Sequence, residues 1–186
     1  MPTERLNRRV TKMNTNVPAT LVVVDMQSEF LTPLHLIAAV ENKVRYWIEH
    51  DWPIVIVEFG DNSQTYDTIM KHLSGYPFYT VVTKEEMDGS YEVLDACRQE
   101  GFANDRFVVI GQYFAACLSM TAKGIAKWLP KTTVEIDTEA CDLEPGVPVP
   151  KLKKLPSNVV VLDSPLSTTG DAQTIVRKSA TTNRRR

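Results

Sequence analysis

The sequence contains few cysteines, few histidines and no long apolar run. Its 186 residues include three cysteines and three histidines. An odd cysteine count without metal-type spacing argues against a disulfide framework and suits a reducing interior with free thiols. No stretch approaches the roughly 18 apolar residues of a membrane span, and the first 16 residues carry charges but no apolar signal-like segment. We therefore expect a cytoplasmic protein with no membrane partner.

A surplus of positive charge is also missing. The formal net charge is −2, so nucleic acid is not an expected partner. Basic residues concentrate instead at the two ends, from Arg5 to Lys12 and from Arg184 to Arg186. We expect a flexible basic segment over 1–16 and a basic tail over 179–186. Between them, residues 17–178 are long enough to form one domain with a full core.

Apolar runs of strand length alternate with segments of helical periodicity. PIVIVEF (53–59) is typical of the first kind, and apolar residues recur at i, i+3 and i+4 over 34–50. Strands that are apolar throughout indicate a parallel sheet covered on both faces. We predict a three-layer α/β/α sandwich with a doubly wound, mainly parallel six-stranded sheet, and an irregular proline-rich connection over 143–156. The predicted strands are 20–25, 53–59, 78–84, 106–111, 132–137 and 158–163, and the predicted helices are 34–50, 66–73, 91–99 and 117–129.

Three chemically versatile residues lie where predicted strands end, which is where such sheets bind ligands. Asp25 ends the first strand and could bind a metal, accept a phosphoryl group, act as a general base or cap a helix. Gln27 stands where a haloacid-dehalogenase-type phosphatase would need a second Asp. Lys84 ends the third strand and points either to solvent or into the crevice. Cys117, at the start of a predicted helix, is either a buried apolar thiol or an activated nucleophile.

Three stretches are informative together: LVVVDMQSEF, VVTK and VVIGQYFAACLSMTAKG. In this order they resemble the isochorismatase-like cysteine hydrolase superfamily, and the resemblance extends from about Thr20 to Asp142. It implies the α/β/α fold and a thiol mechanism with Cys117 as nucleophile. Asp25 would carry the proton, and Lys84 would hold the Asp25 carboxylate and favour the thiolate.

The resemblance also implies the surroundings of the nucleophile. The family has a cis peptide bond just before its cysteine, which corresponds here to Gln112–Tyr113. Backbone amides of Tyr113 and Cys117 would form the oxyanion hole. From their positions, Gln27, Phe30, Tyr113 and Phe114 are candidates for the wall of a substrate pocket; the alternative for the large aromatic side chains is a place in the core.

The expected activity is hydrolysis of a small C–N acyl bond, of amide or ureido type, through a thioester. Nicotinamidases of the family bind a divalent metal through an Asp and at least two histidines after the second strand. Here that segment supplies Asp61 and then only His72, so we predict no catalytic metal and no other cofactor. A small-molecule substrate and a homo-oligomer are expected. The alternative is a catalytically idle member of the fold that binds a small molecule or a protein.

Overall fold

The computed structural model describes residues 18–60, 63–143 and 149–162. The expected basic segments at 1–16 and 179–186 lie outside the described residues, as do both ends of the expected domain at 17–178. Within the described part of the chain, no helix is long and apolar enough to cross a membrane.

Six parallel strands form one sheet, in the order β3-β2-β1-β4-β5-β6. Four α-helices follow the first four strands along the chain, so the predicted doubly wound fold is confirmed. The strands are β1 Thr20–Val24, β2 Ile54–Phe59, β3 Tyr79–Lys84, β4 Arg106–Gly111, β5 Thr133–Cys141 and β6 Val159–Leu162. The helices are α1 Leu34–Glu49, α2 Asp67–Leu73, α3 Ser90–Glu100 and α4 Ser119–Trp128.

The core consists of two apolar layers, one on each face of the sheet. Successive strand residues point to opposite faces, so Val22 and Val24 belong to one layer while Leu21 and Val23 belong to the other. All residues of the central strands β1 and β4 are buried. This double burial explains why these strands are apolar throughout, as the sequence predicts for a parallel sheet.

The strand order reverses between β1 and β4, so their carboxyl ends lie side by side while their chains leave in opposite directions. Gly111 allows this close approach. It has φ +120°, and a Cβ there would lie 2.2 Å from the Val24 carbonyl oxygen. The Gln112 amide then donates to the same oxygen at 2.9 Å. A residue with a side chain would separate the two strand ends that border the crevice.

The connection before β6 is irregular where it is described. Residues 149–158 contain neither helix nor strand. Val149, Leu152 and Leu155 nevertheless pack, partly buried, against the core layer that faces α4. The strand before this connection is longer than predicted, because β5 continues to Cys141, which pairs with Gly111 after a register shift.

Candidate active site

Asp25 and Lys84 form a buried ion pair at the carboxyl edge of the sheet. Asp25 follows β1 directly, and Lys84 is the last residue of β3, so the lysine reaches past the end of β2. Their side chains are 1% and 0% exposed, and Nζ lies 3.2 Å from Oδ1 and 3.3 Å from Oδ2. Phe59, the last residue of β2, places its ring 4.5 Å from Nζ, which adds a cation–π contact. The structure thus brings together the first two predicted catalytic residues.

One oxygen of the Asp25 carboxylate, Oδ1, lacks a well-directed hydrogen bond among the described residues. Oδ1 is buried and has no correctly directed hydrogen bond among the described residues, although Nζ of Lys84 is near. The Asp25 backbone is also unusual, with φ +54° in the left-handed region. An under-used carboxylate oxygen held this way is available to accept a proton.

Gly89 makes room for the Lys84 side chain, a role that sequence reasoning missed. A Cβ at Gly89 would lie 2.8 Å from Cδ of Lys84 and 3.1 Å from Cγ1 of Val57. The Gly89 amide donates to Oγ1 of Thr121 on α4 at 3.0 Å, which fixes the glycine against the lysine stem. Nothing in the local sequence identifies this contact, because it depends on how the start of α3, which follows Gly89, packs against β3 and α4.

Cys117 lies in one π-helical turn, Phe114–Leu118, that precedes α4. The helix predicted from Cys117 is observed as α4 from Ser119, two residues later, and Leu118 already has helical angles of φ −62° and ψ −52°. The chain is kinked at Ala116, with φ −124° and ψ −106°, so the break in helical geometry lies just before Cys117. The residue is 8% exposed. Its thiol lies beside the Asp25 carboxylate and the Lys84 ammonium group, both of which act on its pKa. The three predicted catalytic side chains therefore converge.

The protonation of this cluster follows from burial and from the charges within it. Burial, with the Asp25 carboxylate adding to it, raises the pKa of Cys117 to about 11, while Lys84 acts to lower it. Burial also raises the pKa of Asp25 above its ordinary value, against the opposing effects of Lys84 and Cys117. Lys84 thus favours the thiolate, but its effect on the pKa of Cys117 is smaller than the combined effect of burial and Asp25. At neutral pH the thiol keeps its proton and faces the carboxylate that can remove it.

The predicted cis bond is wrong. The Gln112–Tyr113 bond is trans, and no cis bond occurs among the described residues. The chain turns at the end of β4 by means of two left-handed residues instead, Gly111 at φ +120° and Tyr113 at φ +57°. Because these dihedrals reverse the chain, the turn needs no cis geometry.

The Tyr113 amide, predicted as an oxyanion donor, already has an acceptor. The Asp142 carboxylate accepts from the Tyr113 amide at 2.9 Å and from the Phe114 amide at 2.7 Å. Tyr113 would serve an oxyanion only after Asp142 releases it. Sequence reasoning missed Asp142 because the predicted fifth strand ended at 137, and only the longer β5 places Asp142 directly after a strand at this edge.

Of the predicted substrate contacts, Phe30 lies at the site. Its ring packs edge-to-face on Tyr113, with centroids 5.2 Å apart, and it is partly buried. The Phe30 carbonyl accepts from the Tyr66 hydroxyl at 2.8 Å, which fixes this loop. Phe30 is thus positioned to form an apolar wall.

Gln27 and Phe114 have other contacts than those predicted. The Gln27 amide nitrogen donates to the carbonyls of Phe59 and Ser63 at 3.1 and 2.8 Å, and its oxygen accepts from the Phe59 amide at 2.7 Å. Phe114 is 2% exposed within the core. We therefore reassign Gln27 to holding the end of β2 and Phe114 to packing, since neither presents free surface to a ligand.

No group of three or more His, Cys, Asp or Glu residues suited to a metal ion is found within 18–60, 63–143 and 149–162. His72 lies on α2, with Nε2 3.9 Å from Glu41 on α1. Asp61 lies outside the described residues. The absence of a catalytic metal remains a prediction.

Comparisons with known proteins agree with this geometry at the level of the fold. No family model and no curated protein matches the chain. Solved structures do. A nicotinamidase from Staphylococcus aureus is similar with a TM-score of 0.57 and 12% identity, over 67% of this chain and 82% of that one. N-carbamoylsarcosine amidase from Thermoplasma acidophilum gives 0.53 and 20%, over 69% and 86%. The MAR1 ribonuclease from Caenorhabditis elegans gives 0.57 and 13%, over 67% and 64%. A further similar structure is described as an isochorismatase family protein. This chain therefore has the isochorismatase-like α/β fold.

Proposed function

We propose that the protein is a cysteine hydrolase that cleaves a small C–N acyl bond, of amide or ureido type, through a thioester and without a metal or other cofactor. The observation that carries the proposal is the convergence of Cys117 with the buried Asp25–Lys84 pair. Two proteins of similar fold are named as a nicotinamidase and an N-carbamoylsarcosine amidase. Both names describe cleavage of C–N bonds next to a carbonyl group.

In the first half-reaction, Sγ of Cys117 attacks the substrate carbonyl carbon while Asp25 takes the thiol proton. The carbonyl π electrons move to oxygen and form a tetrahedral oxyanion. When this collapses, the C–N bond breaks, and Asp25 delivers its proton to the leaving nitrogen. An amine or ammonia departs, and the acyl group remains on sulfur. A thiol with a pKa of about 11 requires this concerted proton removal, since little thiolate exists beforehand.

In the second half-reaction, Asp25 removes a proton from water as the water oxygen attacks the thioester carbon. The C–S bond then breaks, the thiolate regains the proton from Asp25, and the carboxylic or carbamic acid product leaves. One carboxylate thus serves both halves. Lys84 and Phe59 hold that carboxylate in place, because the ion pair and the cation–π contact both fix the position of Nζ.

The oxyanion has one proposed donor that does not depend on rearrangement, the Cys117 amide. Tyr113 becomes a second donor only if Asp142 turns away from it. A pair of backbone amides at such a turn typically contributes several kcal/mol to the transition state, on the order of 3 per donor. The state of Asp142 therefore affects the rate without taking part in bond formation.

The decisive experiment is a screen of small amides and ureido compounds that measures released amine or ammonia. Turnover in the wild type that is lost in Cys117→Ala supports the proposal, while turnover that survives in Cys117→Ala overturns it. Dialysis against a chelator should leave the rate unchanged if no metal takes part. Ligand-dependent stabilisation with no turnover across the whole panel would favour the alternative, a binding module on this fold.

We also propose a homo-oligomeric assembly and a cytoplasmic setting. A homo-oligomer is expected, and light scattering on the purified protein measures it directly. A cytoplasmic location remains a prediction from the free thiols. Nucleic acid is not proposed as a substrate, although one similar fold belongs to a ribonuclease, because the chain carries a net charge of −2.

A further inference from the structure

At the carboxyl edge of the sheet, the described segments that follow strands near the site carry several acidic residues and no basic ones. Within 25–33, 60, 63–66, 85–89, 111–118 and 142–143 there is no Lys or Arg. The acidic residues of these segments are Asp25, Glu29, Glu85, Glu86, Asp88 and Asp142.

The Lys84 ammonium group, at the end of β3, makes its contacts within the protein. Its side chain is 0% exposed, it pairs with Asp25, and it donates to the Glu86 carbonyl at 3.2 Å. The Asp25–Lys84 pair is neutral as a unit. Because Lys84 has no exposed surface, it cannot meet a charged group on a substrate, and the other carboxylates near the site remain uncompensated by it.

Two of these carboxylates lie beside Tyr113. Burial raises the pKa of Asp142 above its ordinary value, while the Tyr113 and Phe114 amides, which donate to its two oxygens, act to lower it and favour the ionised form. Glu29 precedes Phe30, whose ring packs on Tyr113. Tyr113 is 38% exposed while Cys117 is 8% exposed, and we take the exposed face of Tyr113 as the entrance to the thiol.

The phenol of Tyr113 connects this entrance with the nucleophile. Burial raises its pKa, and the negative charges of Asp25, Cys117, Asp142 and Glu29 raise it further. The Tyr113 hydroxyl group therefore interacts electrostatically with Asp25, with Cys117 and with the carboxylates of Asp142 and Glu29. A molecule that approaches Cys117 past Tyr113 would therefore meet the negative charges of Asp142 and Glu29.

We propose that this site selects substrates that are neutral or positively charged near the scissile bond, and that Asp142 and Glu29 exclude those bearing a carboxylate or phosphate there. The proposal rests on the proposed function in naming Cys117 as the reacting atom. It narrows the substrate class to amides and ureas without an acidic substituent close to the carbonyl group.

Two methanethiosulfonate reagents of similar size, one with an ethylammonium group and one with an ethylsulfonate group, test the potential without any substrate. Each forms a mixed disulfide with a thiolate and releases methanesulfinate. The rate of each reagent at Cys117 is measured at pH 9 by site-resolved mass spectrometry, and 2-mercaptoethanol serves as the free-thiol reference. We expect the ratio of the cationic to the anionic rate at Cys117 to exceed the same ratio for 2-mercaptoethanol by about tenfold.

Charge-neutralising variants assign this preference to particular residues. Asp142→Asn and Glu29→Gln should each lower the ratio by about two- to fivefold. Glu29 is exposed, so its variant tests the proposal even if Asp142→Asn disturbs the turn. Glu49→Gln is the matched control, because Glu49 is exposed at the end of α1, at the opposite edge of the sheet, and should leave the ratio unchanged.

A ratio at Cys117 equal to or below that of 2-mercaptoethanol overturns the proposal, as does an equal decrease in Glu49→Gln. This measurement requires no hydrolysis, so it separates the two proposals. A cationic preference without turnover of any amide would support the charge selection and overturn the proposed hydrolase activity. Turnover of an amide together with equal turnover of its carboxylate-bearing analogue would support the hydrolase activity and overturn the charge selection.

Discussion

Two buried ion pairs at opposite edges of the same sheet have different geometries. At the amino edge, Arg106 on β4 holds Glu135 on the neighbouring β5 by two hydrogen bonds, Nε to Oε1 at 3.1 Å and Nη2 to Oε2 at 2.7 Å. At the carboxyl edge, Lys84 reaches past a whole strand to Asp25, at 3.2 and 3.3 Å. The first carboxylate has a bonded donor on each oxygen, while the second leaves Oδ1 without a well-directed hydrogen bond. Bidentate pairing fixes a fold, whereas the incomplete pairing leaves a base that can take a proton.

The largest effect is expected from Asp25→Asn. The amide keeps the size of the side chain but cannot accept the thiol proton, so kcat/KM should fall by about a thousandfold or more. The measurement is turnover of the best amide from the screen, with circular dichroism to confirm the fold. A decrease below tenfold would remove Asp25 from its role and erase the contrast between the two pairs.

Glu135→Gln, in contrast to Asp25→Asn, should lower the stability of the protein and leave kcat/KM nearly unchanged. It leaves the buried Arg106 without its carboxylate, which should cost about 2–4 kcal/mol of unfolding free energy. Denaturant titration measures this, and kcat/KM at low temperature should stay within about twofold of the wild type. Loss of activity in a folded Glu135→Gln protein would mean that the amino-edge pair also serves the chemistry.

Gly89→Ala tests whether the position of Lys84 matters as much as its charge. The added methyl group would meet Cδ of Lys84 at 2.8 Å, so the lysine stem must shift and kcat/KM should fall by about tenfold. Gly101→Ala is the control, since its methyl group would meet no atom within 4 Å, while its φ of +68° makes the variant strained at the other end of α3, away from the lysine. Equal losses of rate in both variants would indicate a general packing defect.

The smallest effect concerns the thiol alone. Because the Asp25 carboxylate raises the pKa of Cys117, Asp25→Asn should lower that pKa and make Cys117 react about three- to tenfold faster with iodoacetamide at pH 8. In the wild type the rate should climb with pH toward an inflection near 11, and Cys97, with its pKa raised by burial to about 12, should react later. Slower alkylation in Asp25→Asn would mean that the carboxylate promotes the thiolate at rest.

The fold could be predicted from the sequence because its signals are local. Runs such as PIVIVEF are apolar for their whole length, and the helix over 34–50 keeps a regular apolar spacing. Asp25, Lys84 and Cys117 were found by combining strand ends with the resemblance. Both kinds of signal are visible without knowing which residues touch.

The errors arose where contacts distant in sequence decide the geometry. Asp142 captures the amides of Tyr113 and Phe114 from 28 to 29 residues away, a contact that no spacing rule indicates. Gln27 and Phe114 are close in sequence to the proposed catalytic residues, but Gln27 bonds to the end of β2 and Phe114 packs in the core. The trans bond at Gln112–Tyr113 depends on how two left-handed residues share one turn, which neither residue reveals alone.

The left-handed backbone at Asp25 restricts which acid can occupy that position. Among residues other than glycine, Asp and Asn tolerate φ near +54° best, because their short side chains bond to the nearby backbone. A glutamate there would face the same proton chemistry on a backbone that disfavours it, so the two acids are not interchangeable at the end of β1. Substitution of Asp25 by another acid is therefore disfavoured, since aspartate fits both the left-handed backbone and the proposed reaction.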